Sequence, residues 1–101
     1  MWHMVVKTSS VFDQWLEDLQ DPIAVATVTK RLDMLRAYGH LGDHKHIAGS
    51  IFEMRIHTGP GYRLYVAKRG DTLVILLCGG DKSTQKRDIQ RAQEVLKEFA
   101  W

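Results

Sequence analysis

Two arginines at matching positions of consecutive apolar segments are the residues of this chain best suited to chemistry. Arg55 interrupts the apolar segment that begins at Ile51, and Arg63 interrupts the next one. Side chains of equal parity lie on one face of a strand, so both guanidinium groups are expected on the same face of a sheet. Lys82 stands at the end of a third apolar segment. Two guanidiniums and an ammonium in one place suit a polyanion, most simply a phosphate.

The same residues also have purely structural interpretations. Arg55 could pair with Glu53 or Asp81 on the surface of the sheet, where ion pairs are common and contribute little to stability. Asp81 and Lys82 could be capping residues of the last helix. A solvated helix face is the alternative for the basic residues of that helix, which are Lys86, Arg87 and Arg91.

Histidine and cysteine usage argues against a metal centre. His40, His44 and His46 lie close together, but their spacing matches no standard zinc pattern and no cysteine accompanies them. Cys78 is the only cysteine, so it cannot form an internal disulfide. Its position within VILLCGG predicts a buried, unreactive thiol. We therefore expect neither a metal ion nor a cofactor.

Length and composition are those of an ordinary globular domain. The chain has 101 residues, of which 45% are hydrophobic and 26% are charged, so one domain over 1–101 is expected. No apolar run approaches the ~20 residues of a membrane span, and the start MWHMVVK lacks the pattern of a signal peptide. A cytoplasmic protein without a membrane partner is the resulting expectation.

The net charge of +2 is unevenly distributed along the chain. Residues 1–50 hold five Lys and Arg against six Asp and Glu, whereas residues 51–101 hold nine against six. The second half is therefore the basic one, and it is also the half that carries Arg55 and Arg63. This charge distribution permits contact with nucleic acid without requiring it.

Hydrophobic periodicity in the first half predicts a strand followed by a helical hairpin. Residues 3–7 are expected to form a short strand. Ser9 or Ser10 can cap a first helix, and Asp21 followed by Pro22 is typical of the start of a second. That second helix should end near Gly39, and residues 39–50, which contain three glycines, are expected to be a loop.

The second half predicts three strands and a final helix. The strands are expected at 51–57, 62–68 and 72–78, and Asp81, Ser83 or Thr84 should cap the helix. The order β-α-α-β-β-β-α predicts an α+β fold in which the helices pack on one face of a mainly antiparallel, twisted sheet. The other face should stay partly open, with Arg55 and Arg63 emerging from it.

Several segments together carry a family resemblance, namely FEMRI, GPGYRLYV and VILLCGGDKSTQKRDIQRA. They resemble the toxins of type II toxin–antitoxin modules in the RelE/ParE superfamily, and most closely its HigB-like group of addiction-module killer proteins. The earlier segments FDQWLEDLQDPIA, RLDML and GDHKHI match that group as well. The resemblance covers roughly residues 8–96 and implies a RelE-like fold.

The resemblance implies a ribosome-dependent endoribonuclease, or mRNA interferase, which inhibits translation and arrests growth. A ribose 2′-hydroxyl would attack the adjacent phosphate without a metal ion. The implied partners are the ribosome, the messenger and a cognate antitoxin with a helix-turn-helix fold. Operator DNA would be bound only through the antitoxin complex.

The resemblance also assigns residues to this chemistry. Arg63 is the first choice for stabilising the transition state, together with Arg55 and Lys82. Three residues are candidates for proton transfer: His46, His57 and Asp81. Tyr65 is expected to stack on a base or to orient one. Further RNA contacts are expected from Lys45, His46, Lys86 and Arg87.

Two other functions fit the same sequence. A ParE-like protein would poison DNA gyrase and would produce DNA breaks instead of halted translation. A non-catalytic protein would bind its antitoxin and act only as a co-repressor. The basic residues on the sheet favour the ribonuclease, because a gyrase poison has no need of an RNA-cleaving site.

Overall fold

Five strands and three α-helices make up residues 4–99, the part of the chain that the computed structural model describes. Trp2, Trp101 and the first residue of the predicted opening strand lie outside the described residues. The elements are β1 (Val5–Thr8), α1 (Ser10–Asp18), α2 (Pro22–Tyr38), β2 (His44–Ala48), β3 (Ile51–Ile56), β4 (Tyr62–Arg69), β5 (Leu73–Asp81) and, after a short 3₁₀ turn at Lys82–Thr84, α3 (Gln85–Glu98).

The strands form one mixed sheet in the order β1-β5-β4-β3-β2. β1 runs parallel to β5, and the other three pairs are antiparallel. The expected α+β class with a mainly antiparallel sheet is therefore confirmed. β4 is the middle strand, so the residues that it carries have a strand on either side.

One strand was not predicted. Residues 39–50 were expected to be a loop, but His44–Ala48 pair with β3 as the edge strand β2. Four of these five residues are exposed, so the segment lacks the apolar alternation by which a strand is recognised. Backbone pairing with β3 stabilises it, and sequence periodicity does not report such pairing.

The helix starts agree with their capping residues. The Ser9 hydroxyl accepts a hydrogen bond from Phe12 N at 3.0 Å and donates one to the Leu77 carbonyl at 2.7 Å, which ties α1 to β5. Asp21 Oδ1 accepts from Ala24 N at 3.1 Å, as predicted for an N-cap. α2 ends at Tyr38, as expected. Within residues 4–99, no helix is long and apolar enough to cross a membrane.

Different helices cover the two faces of the sheet. On one face, here called the hairpin face, α1 and α2 pack over a core that includes Phe12, Val28, Leu35, Met54, Leu64 and Val66. On the opposite face, the α3 face, α3 packs over Tyr65, Ala67, Ile75, Leu77 and Ala92. The prediction that all helices share one face is wrong. β5 is apolar at both parities, so each of its faces requires a covering helix.

Two adjacent glycines in β5 allow these helices to approach the sheet closely. A Cβ at Gly79 would lie 2.4 Å from the Trp15 ring of α1, and one at Gly80 would lie 1.9 Å from Asp88 Oδ2 of α3. A larger residue at either position would have to displace the Trp15 ring or the Asp88 carboxylate. The glycine pair therefore allows side chains of both helices to contact the end of β5, where the sheet meets the basic residues.

Cys78 is buried beneath α3, as the sequence predicted. Burial, and next the charge of Asp88, raises the pKa of its thiol to about 12. The thiol is therefore neutral near pH 7 and is not a nucleophile there.

Replacing Leu64 with alanine tests the assignment of the hairpin face. Leu64 is fully buried there, so we expect the free energy of unfolding to fall by roughly 2–5 kcal/mol, as for other large-to-small core changes. Urea denaturation followed by circular dichroism measures this loss. The control Ile23→Ala lies at a position that is 70% exposed, and its change should stay below about 0.5 kcal/mol. Equal losses in the two variants would contradict the assignment.

Candidate functional site

A buried carboxylate joins the two arginines on the α3 face. Glu53 is only 2% exposed. Its Oε1 accepts a hydrogen bond from Arg55 Nε at 3.1 Å and lies 3.5 Å from Arg63 Nε. Its Oε2 accepts a hydrogen bond from Gln85 Nε2, at the start of α3, at 3.0 Å. Arg55 therefore does pair with Glu53, but the carboxylate is buried and shared, unlike a surface ion pair.

Strand register places the two arginines side by side. Arg55 of β3 is directly opposite Arg63 of β4, and Met54 is opposite Leu64. Because neighbouring residues alternate between faces, the arginines lie on the α3 face and the two apolar residues on the hairpin face. The predicted common face for the guanidiniums is confirmed. Two like charges in directly opposed positions repel each other, and Glu53 offsets this repulsion.

Arg63 is more buried than its sequence suggested. Its side chain is only 12% exposed, because β4 is the middle strand, although it was expected to emerge from a partly open face. Its Nε is buried without a hydrogen-bond partner, and no hydrogen bond from its guanidinium to another residue is found in the described part of the chain. Apart from its ion pair with Glu53, this guanidinium is available to an incoming anion.

An open cavity of about 470 Å³ lies beside Arg63. It is bordered by the turn between β3 and β4 and by three side chains that the sequence had put forward: His57, Arg63 and Lys82. An imidazole, a guanidinium and an ammonium group thus border one space, although they come from three separate elements. Such a cavity can hold a phosphate and can supply both charge stabilisation and proton transfer.

His57 does not stand alone at this cavity. Its Nε2 is in direct contact with Asp43 Oδ2, from the segment that precedes β2. The hydrogen bond to His57 holds the pKa of the Asp43 carboxyl below its ordinary value. The carboxyl is therefore ionised near neutral pH. Asp43 was not among the residues that the sequence put forward.

Lys45 and His46, which were both expected to contact RNA, lie on opposite faces of β2. Lys45 pairs with Glu53 across β2 and β3, so it lies on the α3 face with the arginines. His46 pairs with Phe52 and lies on the hairpin face, where its ring centroid is 5.1 Å from that of Phe52. Its Nε2 is also bonded to the Gly49 carbonyl at 2.7 Å. His46 is thus on the opposite face of the sheet from Arg63.

Tyr65 is placed where it cannot stack on a base. The expectation that it presents a face to RNA is wrong in this structure, because its exposure is 0% and α3 covers it. Burial, followed by the charges of Glu53 and Asp88, raises the pKa of its phenol well above the ordinary value. Tyr65 is opposite Glu53 in the sheet and packs in the core beneath α3.

The remaining predicted residues lie outside the His57 cavity. The Asp81 carboxylate accepts hydrogen bonds from the backbone and hydroxyl of Ser83, and these bonds lower the pKa of Asp81. Asp81 and Arg87 line a separate cleft of about 340 Å³ beside Trp15, between α1 and α3. Lys86 lies on the exposed side of α3 with Arg87. The capping interpretation of Asp81 is confirmed for the short 3₁₀ turn before α3.

The histidines of the β2 region do not form a metal-binding cluster. Across residues 4–99, no group of three His, Cys, Asp or Glu side chains is arranged to hold a metal ion. His44 Nδ1 is bonded to the Gly42 carbonyl at 2.7 Å. The imidazoles of His44 and His46 are therefore bonded to backbone carbonyls just before and just after β2.

Sequence reasoning missed the acidic and amide partners of the site. Glu53 was noted only as one possible partner of Arg55, although its parity already placed it on the same face. Gln85 is one polar residue among several at the start of α3, and nothing in its spacing distinguishes it. Asp43 could be found only after β2 was known to pair with β3, because that pairing brings it to His57.

Comparison with known proteins adds a family and a fold. Residues 14–97 match the family described as phage derived protein Gp49-like (DUF891). An uncharacterized protein of Haemophilus influenzae is 45% identical over 94 residues, which are 93% of this chain and 94% of that protein. A chain of the toxin–antitoxin complex RelBE2 from Mycobacterium tuberculosis has a similar structure, with a TM-score of 0.63 and 20% identity over 80% of this chain and 100% of that one. The expected RelE-like fold is confirmed at this level.

Replacing Glu53 with alanine tests the role of the buried carboxylate. Arg55 and Arg63 would then face each other without it, and the Gln85 amide would lose its acceptor. Arg55 is one-third exposed, so water partly screens its charge and the loss should be smaller than for a fully buried ion pair. We expect the free energy of unfolding to fall by roughly 2 kcal/mol or more. Urea denaturation measures the loss, with Glu94→Ala on the exposed side of α3 as the control. A Glu53→Ala variant as stable as the control would show that the contacts of Glu53 with Arg55, Arg63 and Gln85 are not needed for folding.

Proposed function

This chain belongs to the family of phage derived Gp49-like proteins, and from that premise we propose that it is the toxin of a type II toxin–antitoxin module. We infer that it acts as a ribosome-dependent endoribonuclease of the HigB-like group and cleaves messenger RNA. Acting on ribosomes, it would work in the cytoplasm. The similarity of its fold to a chain of the RelBE2 toxin–antitoxin complex supports the toxin assignment.

The position of Arg63 is the observation that carries the proposal. Its guanidinium is held against Glu53 in a cavity with His57 and Lys82, yet it makes no hydrogen bond to another residue in the described part of the chain. Hydrogen-bond donors on such a mostly buried side chain are strong ligands for a phosphate, because little water competes for them. A purely structural arginine would have its donors bonded within the protein.

Each residue of the cavity has a role in the proposed cleavage. Arg63 binds the scissile phosphate and stabilises the charge that develops on it, with Arg55 beside it. Lys82, whose side chain is exposed at the rim, adds a third positive charge. His57 is the candidate for proton transfer at the cavity. Lys45 extends the basic surface along the α3 face toward the rest of the messenger.

An antitoxin is the expected protein partner. A ribosome-directed nuclease would arrest its own host, so a co-encoded inhibitor is required. We propose a helix-turn-helix antitoxin, through which the complex would bind operator DNA. The ribosome and the messenger are the remaining partners, because the cavity is open and would depend on the ribosome to orient the RNA.

Expression of the chain tests the proposed function directly. Expression alone should arrest growth and halt translation, and co-expression of the neighbouring small gene should relieve the arrest. Purified protein should cleave messenger on a translating ribosome and leave bare messenger largely intact. DNA breaks with an SOS response would point instead to a gyrase poison. Antitoxin binding without growth inhibition would identify a non-catalytic co-repressor.

Substitution of Arg63 tests the proposed site. Arg63→Ala should lower the cleavage rate by roughly 100-fold, the usual effect of losing one transition-state donor. Because Arg63 is only 12% exposed and paired with Glu53, some stability should also be lost, so rates are compared per folded molecule after thermal melting. Arg63→Lys keeps the charge but loses the two-pronged donor geometry, and it should recover only part of the rate.

The matched control is Arg36→Ala, because Arg36 is an exposed arginine of α2 that pairs only with Asp33 at 3.6 Å among the described residues. This variant should cleave at the wild-type rate. If the folded fraction of Arg63→Ala is also fully active, the proposed site is wrong.

A further inference from the structure

The contact between Asp43 and His57 leads to a specific assignment of proton transfer. We propose that Asp43 is a positioning residue that holds His57 as the general base of the cleavage reaction, an inference that rests on the proposed function. Asp43 would not touch the RNA. Its role would be to fix which nitrogen of His57 carries the proton and where the other nitrogen lies.

The geometry of the pair leaves one ring nitrogen available. His57 Nε2 contacts Asp43 Oδ2, so an ionised carboxylate selects the tautomer with the proton on Nε2. No hydrogen bond to Nδ1 is found among residues 4–99. His57 follows β3 directly and borders the cavity together with Arg63 and Lys82. With the proton on Nε2, Nδ1 is unprotonated, and His57 borders the same cavity as a phosphate-binding guanidinium, which is what a general base requires.

The backbone of Asp43 is fixed from two sides. Its carbonyl accepts a hydrogen bond from Arg55 N at 2.9 Å and lies 3.2 Å from Arg31 Nη2 of α2. The same Nη2 donates to the Leu41 carbonyl at 2.6 Å, and Nη1 donates to the Arg55 carbonyl at 2.6 Å. A Cβ at Gly42 would lie 2.7 Å from Arg31 Nη2, so the guanidinium occupies the space that a larger residue would need. Arg31 thereby joins the segment 41–43 to the end of β3.

The charges around the pair favour an ionised Asp43. The hydrogen bond from His57 and, more weakly, the positive charges of Arg55 and Arg31 hold the pKa of Asp43 below its ordinary value. Arg63 and Lys82 border the same cavity as His57, from β4 and from the turn before α3. An ionised Asp43 stabilises the imidazolium that forms when His57 accepts a proton, as a carboxylate does beside a catalytic histidine in other enzymes.

The proposed cleavage reaction needs no reactant other than the RNA. His57 Nδ1 takes the proton of the ribose 2′-hydroxyl as its oxygen forms a bond to phosphorus. The bond from phosphorus to the 5′ oxygen breaks, and this leaving oxygen receives a proton from the Lys82 ammonium group. The products are a 2′,3′-cyclic phosphate and a 5′-hydroxyl end. His57 then returns its proton to water, and Lys82 regains one.

The test compares Asp43→Asn, His57→Ala and the double variant in the full chain, with ribosome-bound messenger as the substrate. Each single change should lower kcat by roughly 100-fold with KM changed less than about 3-fold, because binding does not depend on the pair. The double variant should be no slower than His57→Ala alone, because Asp43 acts only through His57. Asp43→Asn keeps the carbonyl that Arg55 and Arg31 bind, so its folding should be preserved.

Two controls and one spectroscopic measurement complete the test. Asp71→Asn and His40→Ala alter exposed residues away from the cavity and should leave the rate unchanged. Long-range ¹H–¹⁵N spectra should show the Nε2-protonated tautomer of His57 in the wild-type chain and a loss of that tautomer in Asp43→Asn.

A wild-type chain that cannot cleave on the ribosome overturns the proposed function. If the wild-type chain cleaves, two results overturn this inference alone. One is a folded Asp43→Asn variant that cleaves at the full rate. The other is a double variant whose rate loss equals the product of the two single losses.

Discussion

The buried Glu53 carboxylate is the interaction on which the site depends. Strand register places Arg55 directly opposite Arg63, and two guanidiniums in such positions would repel each other in a half-buried environment. Glu53 offsets this repulsion from the same face, and Gln85 satisfies its second oxygen from the start of α3. The carboxylate therefore connects β3, β4 and α3. The 3.5 Å separation between Arg63 Nε and Glu53 is an ion pair without a hydrogen bond, so the guanidinium donates to no other residue among 4–99.

The packing of helices on both faces explains why the site is at one end of the sheet. α3 covers the centre of the α3 face, where Tyr65 and Ala67 are buried, but it begins at Gln85, beside Glu53. Arg63 lies where this cover stops and borders the cavity, with Arg55 opposite it on β3. Gly79 and Gly80 set this boundary, since they allow Trp15 and Asp88 to approach β5 from opposite sides. The partial burial of Arg63 is thus a consequence of how closely the helices pack.

Family membership and site geometry support the proposed function in different ways. The Gp49-like family match spans residues 14–97, so it includes every residue of the cavity but does not assign a role to any of them. The fold shared with a chain of RelBE2 is compatible with more than one activity, because a fold hosts functions through the sites built on it. The cavity supports the chemistry, because it is bordered by the guanidinium of Arg63, the ammonium group of Lys82 and the imidazole of His57. That imidazole is bonded to the Asp43 carboxylate.

Local signals in the sequence determined the elements and the faces of the sheet. Ser9, Asp21 and Pro22 mark the helix starts because capping is a short-range interaction. Strand parity placed Arg55 and Arg63 together, with Met54 and Leu64 on the opposite face, because alternation is a property of the extended backbone. The buried Cys78 followed from the apolar run around it.

Only the tertiary structure decided which partners these residues meet. β2 has no periodic pattern of its own, so its pairing with β3, and with it the meeting of Asp43 and His57, could not be read from the chain. The same pairing moved His46 to the hairpin face. The place of β4 in the middle of the sheet buried Arg63 and Tyr65, and strand order is set by long-range packing. Parity gives the face on which a side chain lies, whereas burial and partners depend on elements that are distant in sequence.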